Sequence, residues 1–157
     1  MNSINKAYDK LYKNLWYTHK VHEKERWLLA CRISLTRWTN IVLVSGVLLL
    51  QFYQLLYPTE KAFLVWSIIL AAIEVAFTFY QLSFNHGALY EQHQSTAKIM
   101  VRLKNRMISM DTSKLTEKAL NQISEQLSDI YEKAPQTGLI AQWLADIDWK
   151  KEYPRKR

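Results

Sequence analysis

Two long apolar blocks constrain this chain more than any other feature of its sequence. The first block, residues 41–57, contains no formal charge, and with Trp38, Thr39 and Asn40 it reaches 20 residues. The second block, residues 62–84, contains a single charged side chain, Glu74. A helix of about 20 residues is long enough to cross a hydrocarbon core of about 30 Å. The sequence therefore predicts two transmembrane helices.

The connection between the two blocks is very short. It consists of Pro58, Thr59, Glu60 and Lys61, so the helices are expected to run antiparallel as a tight hairpin. Glycine and proline number only three each, which favours long helices over many short strands. The predicted fold class is all-α, a two-pass transmembrane helical hairpin with long cytoplasmic helices at both ends.

The distribution of basic residues predicts the orientation. Eight Lys and Arg residues precede the first block, Lys61 alone lies in the turn, and twelve follow the second block. Because cytoplasmic flanks are enriched in Lys and Arg, both termini are expected in the cytoplasm. The predicted single domain thus comprises a cytoplasmic N-terminal helix (1–37), the first span (38–57), the second span (62–84) and cytoplasmic helices (85–157).

The flanking regions have helical periodicity. Apolar residues recur every three or four positions in residues 4–16, 115–133 and 139–147. Asp111, Thr112 and Ser113 are candidate caps for the second of these segments. Residues 85–110 lack proline, which favours a second span that continues as a long helix. A soluble helical bundle is the alternative topology, since its buried helices can also be apolar all round; spanning length, tight turn and charge bias favour the membrane.

Glu74 is the most informative single residue. It lies about 18 Å into the second span, where a carboxyl group usually faces a bundle interior or a water-filled cavity. In an antiparallel hairpin, Ser45 would lie near the depth of Glu74, and Gln51 near that of Ser67. A structural helix contact and a pore-lining role are both open. The candidate residues for either role are Glu74, Gln51, Gln54, Ser45 and Ser67.

A conducting path would need several copies, because one hairpin cannot enclose a channel. A ring of Glu74 side chains in a homo-oligomer would resemble the acidic rings of cation pathways.

No catalytic motif is present. The sequence contains neither a glycine-rich phosphate loop, nor paired cysteines, nor a nucleophile elbow, so no enzyme activity, cofactor or metal is expected. His19 and His22 lie three residues apart and could in principle bind a metal, but a solvated helix face is favoured. His86 and His93 are interpreted as polar residues beside the membrane.

Two stretches resemble a known family. Residues 15–20, Leu-Trp-Tyr-Thr-His-Lys, are similar to its entry segment before the first span, and residues 127–135 are similar to its C-terminal tyrosine-and-proline element. The family is the SLATT domain, a two-transmembrane effector found beside nucleotide-making and nucleotide-sensing proteins in bacterial conflict systems. The histidine expected after the proline element is absent here.

This resemblance implies an effector of the bacterial inner membrane in anti-phage defence by abortive infection. It would open or disrupt the membrane when a separate sensor protein, or a cyclic or modified nucleotide from a neighbouring enzyme, signals. Lys98, Arg102, Lys104 and Arg106 are candidates for contact with that signal or with anionic lipid of the bilayer. Nucleic-acid binding is not favoured. The alternative function is a non-conducting membrane anchor or scaffold for a cytoplasmic partner.

Overall fold

The described chain is built from helices. A computed structural model describes residues 3–110 and 116–152, and 91% of these residues are helical, with no strand among them. The helices are α1 Ser3–Leu56, α2 Lys61–Ser83, α3 His86–Ser109, α4 Glu117–Lys133 and α5 Leu139–Glu152. The predicted all-α class is confirmed.

The chain divides into two compact units. Residues 30–87, here called the apolar hairpin, contain the end of α1 and all of α2. The described residues 3–29, 88–110 and 116–152, here called the helical module, contain the start of α1 together with α4, α5 and nearly all of α3.

The two helices of the apolar hairpin pack antiparallel along their length. Near the turn, the rings of Tyr53 and Phe63 stack with their centroids 5.8 Å apart. At the other end, the Asn40 amide donates to Gln81 Oε1 at 3.1 Å. Between these contacts, Gly46 lies directly against Leu70. The pairs agree with the antiparallel register that the short turn predicts.

Almost none of the hairpin's apolar surface is covered by the chain itself. In the most apolar windows of the two long helices, 0% and 6% of the residues are buried. Leu55 and Leu82, for example, are 78% and 76% exposed. A core helix of a soluble protein would instead bury such residues. The all-α two-pass hairpin is therefore confirmed as the fold.

One expectation about helix length is wrong. The second span does not continue unbroken into the following helix, because α2 ends at Ser83 and α3 begins at His86. Phe84 has an extended backbone, and its N–H donates to the carbonyl of Gln81. Neither proline nor glycine marks this break, so composition alone could not reveal it.

The helical module has a continuous apolar core between α1, α3 and α4. Tyr8 closes one end of this core, and its hydroxyl donates to the carbonyl of Met107 at 2.9 Å. The buried members of the core are Leu15, Met100, Leu103, Met107, Ile123 and Leu127.

Helix α5 packs against α1 through small residues. Ala141 and Ala145 are fully buried beside Val21, so the two backbones approach closely. Glu25 accepts a hydrogen bond from the Gly138 N–H at 2.9 Å, which places a negative charge at the positive end of α5. These contacts fix both the position and the direction of α5.

Helix α4 is capped by Thr116, which was not among the expected capping residues. The capping candidates at 111–113 lie outside the described residues. Within them, α4 begins at Glu117, and the Thr116 side chain accepts from the Ala119 N–H at 3.3 Å. Thr116 is therefore the N-cap of α4.

We expect Gly46→Ile to destabilise the hairpin by about 1–3 kcal/mol, because overpacking a tight contact has that effect. A Cβ atom at Gly46 would lie 2.8 Å from Leu70 Cδ2. Thermal unfolding in detergent measures the change, and Leu70→Ala should restore part of it by making room. Ser45→Ile, on the exposed side of the same turn, is the matched control. Equal loss in both single variants would contradict this packing account.

Candidate functional site

The polar residues predicted inside the spans occupy different environments. Ser67 is buried, and its hydroxyl donates to the carbonyl of Leu64 in its own helix at 2.8 Å. Gln54 is partly buried, and its Oε1 atom is buried without a hydrogen-bond partner among the described residues. Ser45 and Gln51 are exposed on the hairpin surface. These residues therefore do not form one connected polar site within a single chain.

Glu74 is half-buried on α2, one helical turn after Leu70. The ion pairs of the described residues join Lys13 to Asp9, Lys20 to Glu23 and Lys24 to Asp148, and Glu74 belongs to none of them. A carboxyl group in an apolar span without an ion pair needs water, a proton or a group from another molecule.

The basic candidates of α3 also separate into two sets. Arg102 and Arg106 are exposed and line one groove of about 330 Å³ between α3 and α4. Arg106 also donates to Gln126 Oε1 across this groove, at 3.3 Å. Lys98 is exposed but does not line the groove, and Lys104 is partly buried and close enough to His19 to affect its titration.

A buried histidine pair joins α1 to α3. His22 and His93 are only 3% and 2% exposed, and their Nδ1 atoms lie 2.9 Å apart. The interpretation of His22 as part of a solvated face is therefore wrong, as is that of His93 as a polar residue beside the membrane. Since one Nδ1 must donate and the other accept, the two neutral rings carry different tautomers.

The sequence contained a signal for this pair. His22 lies seven residues after Leu15 and seven before Leu29, and His93 lies seven and fourteen residues before Met100 and Met107. All four of these apolar residues are buried. A seven-residue spacing keeps side chains on one seam of packed helices. Each histidine therefore occupies a core position of its helix, although its polarity alone suggests the surface.

Burial governs the titration of these rings. It lowers the pKa of His22 to about 4, with a smaller contribution from His93. Burial also lowers the pKa of His93, against an opposing effect of Glu25. The pKa of nearby His19 is likewise lowered, chiefly by burial. All three rings are thus held in the neutral form near pH 7.

Within residues 3–110 and 116–152, no group of three or more His, Cys, Asp or Glu side chains is arranged to hold a metal ion.

The fold and its uncovered apolar hairpin define a two-pass helical membrane protein. A family model matches residues 4–147, and its description is SMODS and SLOG-associating 2TM effector domain family 4. Because the match covers most of the chain, the protein belongs to this SLATT family and is a membrane effector of conflict systems. No curated protein and no solved structure matches the chain.

We expect His22→Ala to destabilise the helical module by about 2–4 kcal/mol. It leaves His93 Nδ1 buried without a partner and opens a cavity, and both effects are unfavourable. The double variant His22→Leu/His93→Met should regain most of this loss, since it continues the apolar seam. Denaturant unfolding of the original chain, His22→Leu, His93→Met and the double variant measures the coupling between the two rings. A purely additive result would show that the two rings do not interact.

The same pair predicts a pH dependence of stability. Folding lowers the pKa of each buried histidine below its value in the unfolded chain, which is near 6.5. The fold is therefore most stable, with respect to these rings, at pH values above 6.5. As pH falls from about 6.5 towards 4, the unfolded chain binds protons that the buried rings exclude. The folding equilibrium constant should therefore fall by up to about tenfold per pH unit for each ring. Unfolding at several pH values tests this, and the slope should flatten in the His22→Leu/His93→Met variant.

Proposed function

We propose that this protein is an inner-membrane effector of bacterial anti-phage defence that forms a pore, or otherwise breaches the membrane, after a partner signals. Its hairpin inserts with both termini in the cytoplasm, and several copies assemble around the conducting path. The infected cell then loses its membrane potential before the phage completes its cycle. No enzymatic step is part of this proposal.

The observation that supports the proposal is Glu74, the one charged side chain of the apolar block 62–84. It is half-buried and lacks an ion pair among the described residues, while the apolar side chains around it are largely exposed. One hairpin cannot enclose water around this group. An assembly that places several Glu74 side chains around a common axis would supply both the water and a cation-attracting ring.

The helical module is the natural receiver of the signal. Arg102 and Arg106 present two guanidinium groups along the groove between α3 and α4, whose lining also includes the single carboxylate of Asp129. Guanidinium groups bind phosphates and carboxylates well. A sensor protein with an acidic surface, or a cyclic or modified nucleotide, would both provide such groups. In this proposal, binding there shifts the assembly towards the conducting state.

A membrane anchor for a cytoplasmic partner is the second candidate function. It is favoured by an exposed apolar face on α5, outside the hairpin, where Leu139, Ile140 and Trp143 are 83%, 55% and 62% exposed. An exposed apolar face of this kind is typical of a surface that binds another protein.

We expect expression of the chain with its activating partner to depolarise bacteria rapidly, before they lose viability. Glu74→Leu should reduce the rate of depolarisation about tenfold or more, because it removes the polar group from the proposed path. Glu91→Leu makes the same change at an exposed position of α3 and should leave the rate unchanged. A voltage-sensitive dye provides the measurement, at membrane levels matched by immunoblot.

The outcomes separate the two functions. Depolarisation that ignores Glu74→Leu would contradict a pore containing Glu74. An unchanged potential in cells that hold both the effector and its bound, active partner would contradict conduction and favour the anchor. Retention of the protein in the membrane pellet after alkaline carbonate extraction checks insertion independently of either function.

A further inference from the structure

The helical module carries an apolar surface that its own helices leave uncovered, here called the α5 face. On α5, Leu139, Ile140 and Trp143 are 83%, 55% and 62% exposed, and Trp27 of α1 is 57% exposed. Trp27 lines a groove together with Leu144 of α5, so both helices contribute to this surface. Tryptophans are the residues that most often dominate the binding energy of protein interfaces. The α5 face therefore has the composition of a contact surface.

The groove in the α5 face has a volume of about 330 Å³ and combines apolar with cationic groups. Its lining residues are Lys20, Glu23, Lys24, Arg26, Trp27 and Leu144. Lys20 and Lys24 are already paired with carboxylates, at 3.0 and 2.7 Å. Arg26 belongs to no ion pair among the described residues. Cations are attracted to the faces of aromatic rings, and most strongly to the indole of tryptophan. The groove therefore suits a tryptophan side chain.

The same face also exposes a tryptophan of this kind. Trp143 lies on the outer side of α5, next in sequence to Leu144 of the groove. In a two-fold symmetric contact each residue meets its counterpart reciprocally, so one surface must contain both a projecting group and the site that receives it. The α5 face contains both, whereas an unrelated partner would require only one of them.

The size of the α5 face also matches a contact between two copies. Four large side chains with these exposures present roughly 500 Å² of surface on each copy, and thus about 1,000 Å² between two copies. A specific protein interface needs about this area at least. Insertion into one membrane raises the effective concentration of the copies for one another, which favours association through a contact of limited area.

We propose that the α5 face binds the α5 face of a second copy of this chain, with Trp143 of each copy in the groove of the other. There the indole packs on Trp27 and lies near the guanidinium group of Arg26. The proposal rests on the assembly of several copies in the proposed function, and it specifies where the helical modules touch. Because a two-fold contact joins copies only in pairs, a larger assembly then needs a second contact through the hairpins.

The test measures association of the full chain reconstituted in liposomes. The chain contains one cysteine, the exposed Cys31, which carries a donor dye in one preparation and an acceptor dye in another. Energy transfer, followed as the protein is diluted with lipid, gives the dissociation constant of the pair. Trp143→Ala should weaken association about thirtyfold or more, because a tryptophan at the centre of an interface has an effect of this size.

Further variants test whether the two named rings meet. Trp27→Ala should also weaken association, and the double variant Trp27→Ala/Trp143→Ala should lose much less than the product of the two single effects, since both remove one contact. Ile140→Ala should weaken association about fivefold, because it removes apolar surface from the contact. Ile108→Ala is the matched control: Ile108 of α3 is 58% exposed, close to the 55% of Ile140, and its replacement should have no effect.

A chain that stays monomeric would overturn the proposal and assign the α5 face to lipid or to a different protein. Association that ignores Trp143→Ala, independent effects of the two tryptophan variants, or equal losses in Ile140→Ala and Ile108→Ala would overturn it as well. Circular dichroism confirms that each variant is folded.

Depolarisation of cells is a separate readout of the proposed function. Depolarisation by a chain whose association ignores Trp143→Ala would overturn the α5 contact and leave the proposed function standing. Association that depends on Trp143 and Trp27, in a chain that does not depolarise cells with its active partner, would support the contact and contradict conduction.

Discussion

The uncovered apolar surface of residues 30–87 is the constraint on which the rest of the structure depends. Most of the large apolar side chains that are exposed in this chain lie on the hairpin. Burying one such side chain is favourable by about 1.5–3 kcal/mol, whereas a whole domain is stable by only about 5–15 kcal/mol. Water is therefore not a tolerable surrounding for this hairpin. The bilayer, or a bilayer together with further copies, must supply the surface that the chain does not.

Apolar surroundings then decide how each polar group inside the hairpin is accommodated. Ser67 is satisfied by a carbonyl of its own helix, and it needs nothing from outside. Asn40 and Gln81 satisfy one another only in part, because a polar atom of each is left buried without a partner. Glu74 is the extreme case, since a lone carboxyl group has the largest need for solvation. These residues form a series in which dependence on other molecules increases.

How far the sequence predicted the fold follows from the same physics. The two spans were predictable because crossing a bilayer imposes a length and an absence of charge that few other structures share. The register was predictable because a four-residue turn leaves little freedom in how the helices pair. The break at Phe84 was not, since extended backbone there depends on local hydrogen bonding rather than on a proline or glycine.

The candidate site was predicted less completely than the fold. The position of Glu74 within the second apolar block identified it as an isolated charge. Only the three-dimensional arrangement shows that Arg102 and Arg106 share a groove that Lys104 does not line. His22 was misinterpreted for a specific reason. Charged neighbours on both sides suggested a solvated face, whereas the seven-residue spacing from Leu15 to Leu29 already placed the ring on the buried seam.

That seam limits how the helical module can move. A shift of α1 by one heptad along α3 would place His22 against Met100 and leave both imidazoles without their hydrogen bond. Polar residues at single core positions specify register in this way, because every other register leaves them unsatisfied. Helix α5 is tied to the same part of α1 by the bond from Gly138 to Glu25. A signal received by the module must therefore either move α1, α3 and α5 together or break the histidine pair.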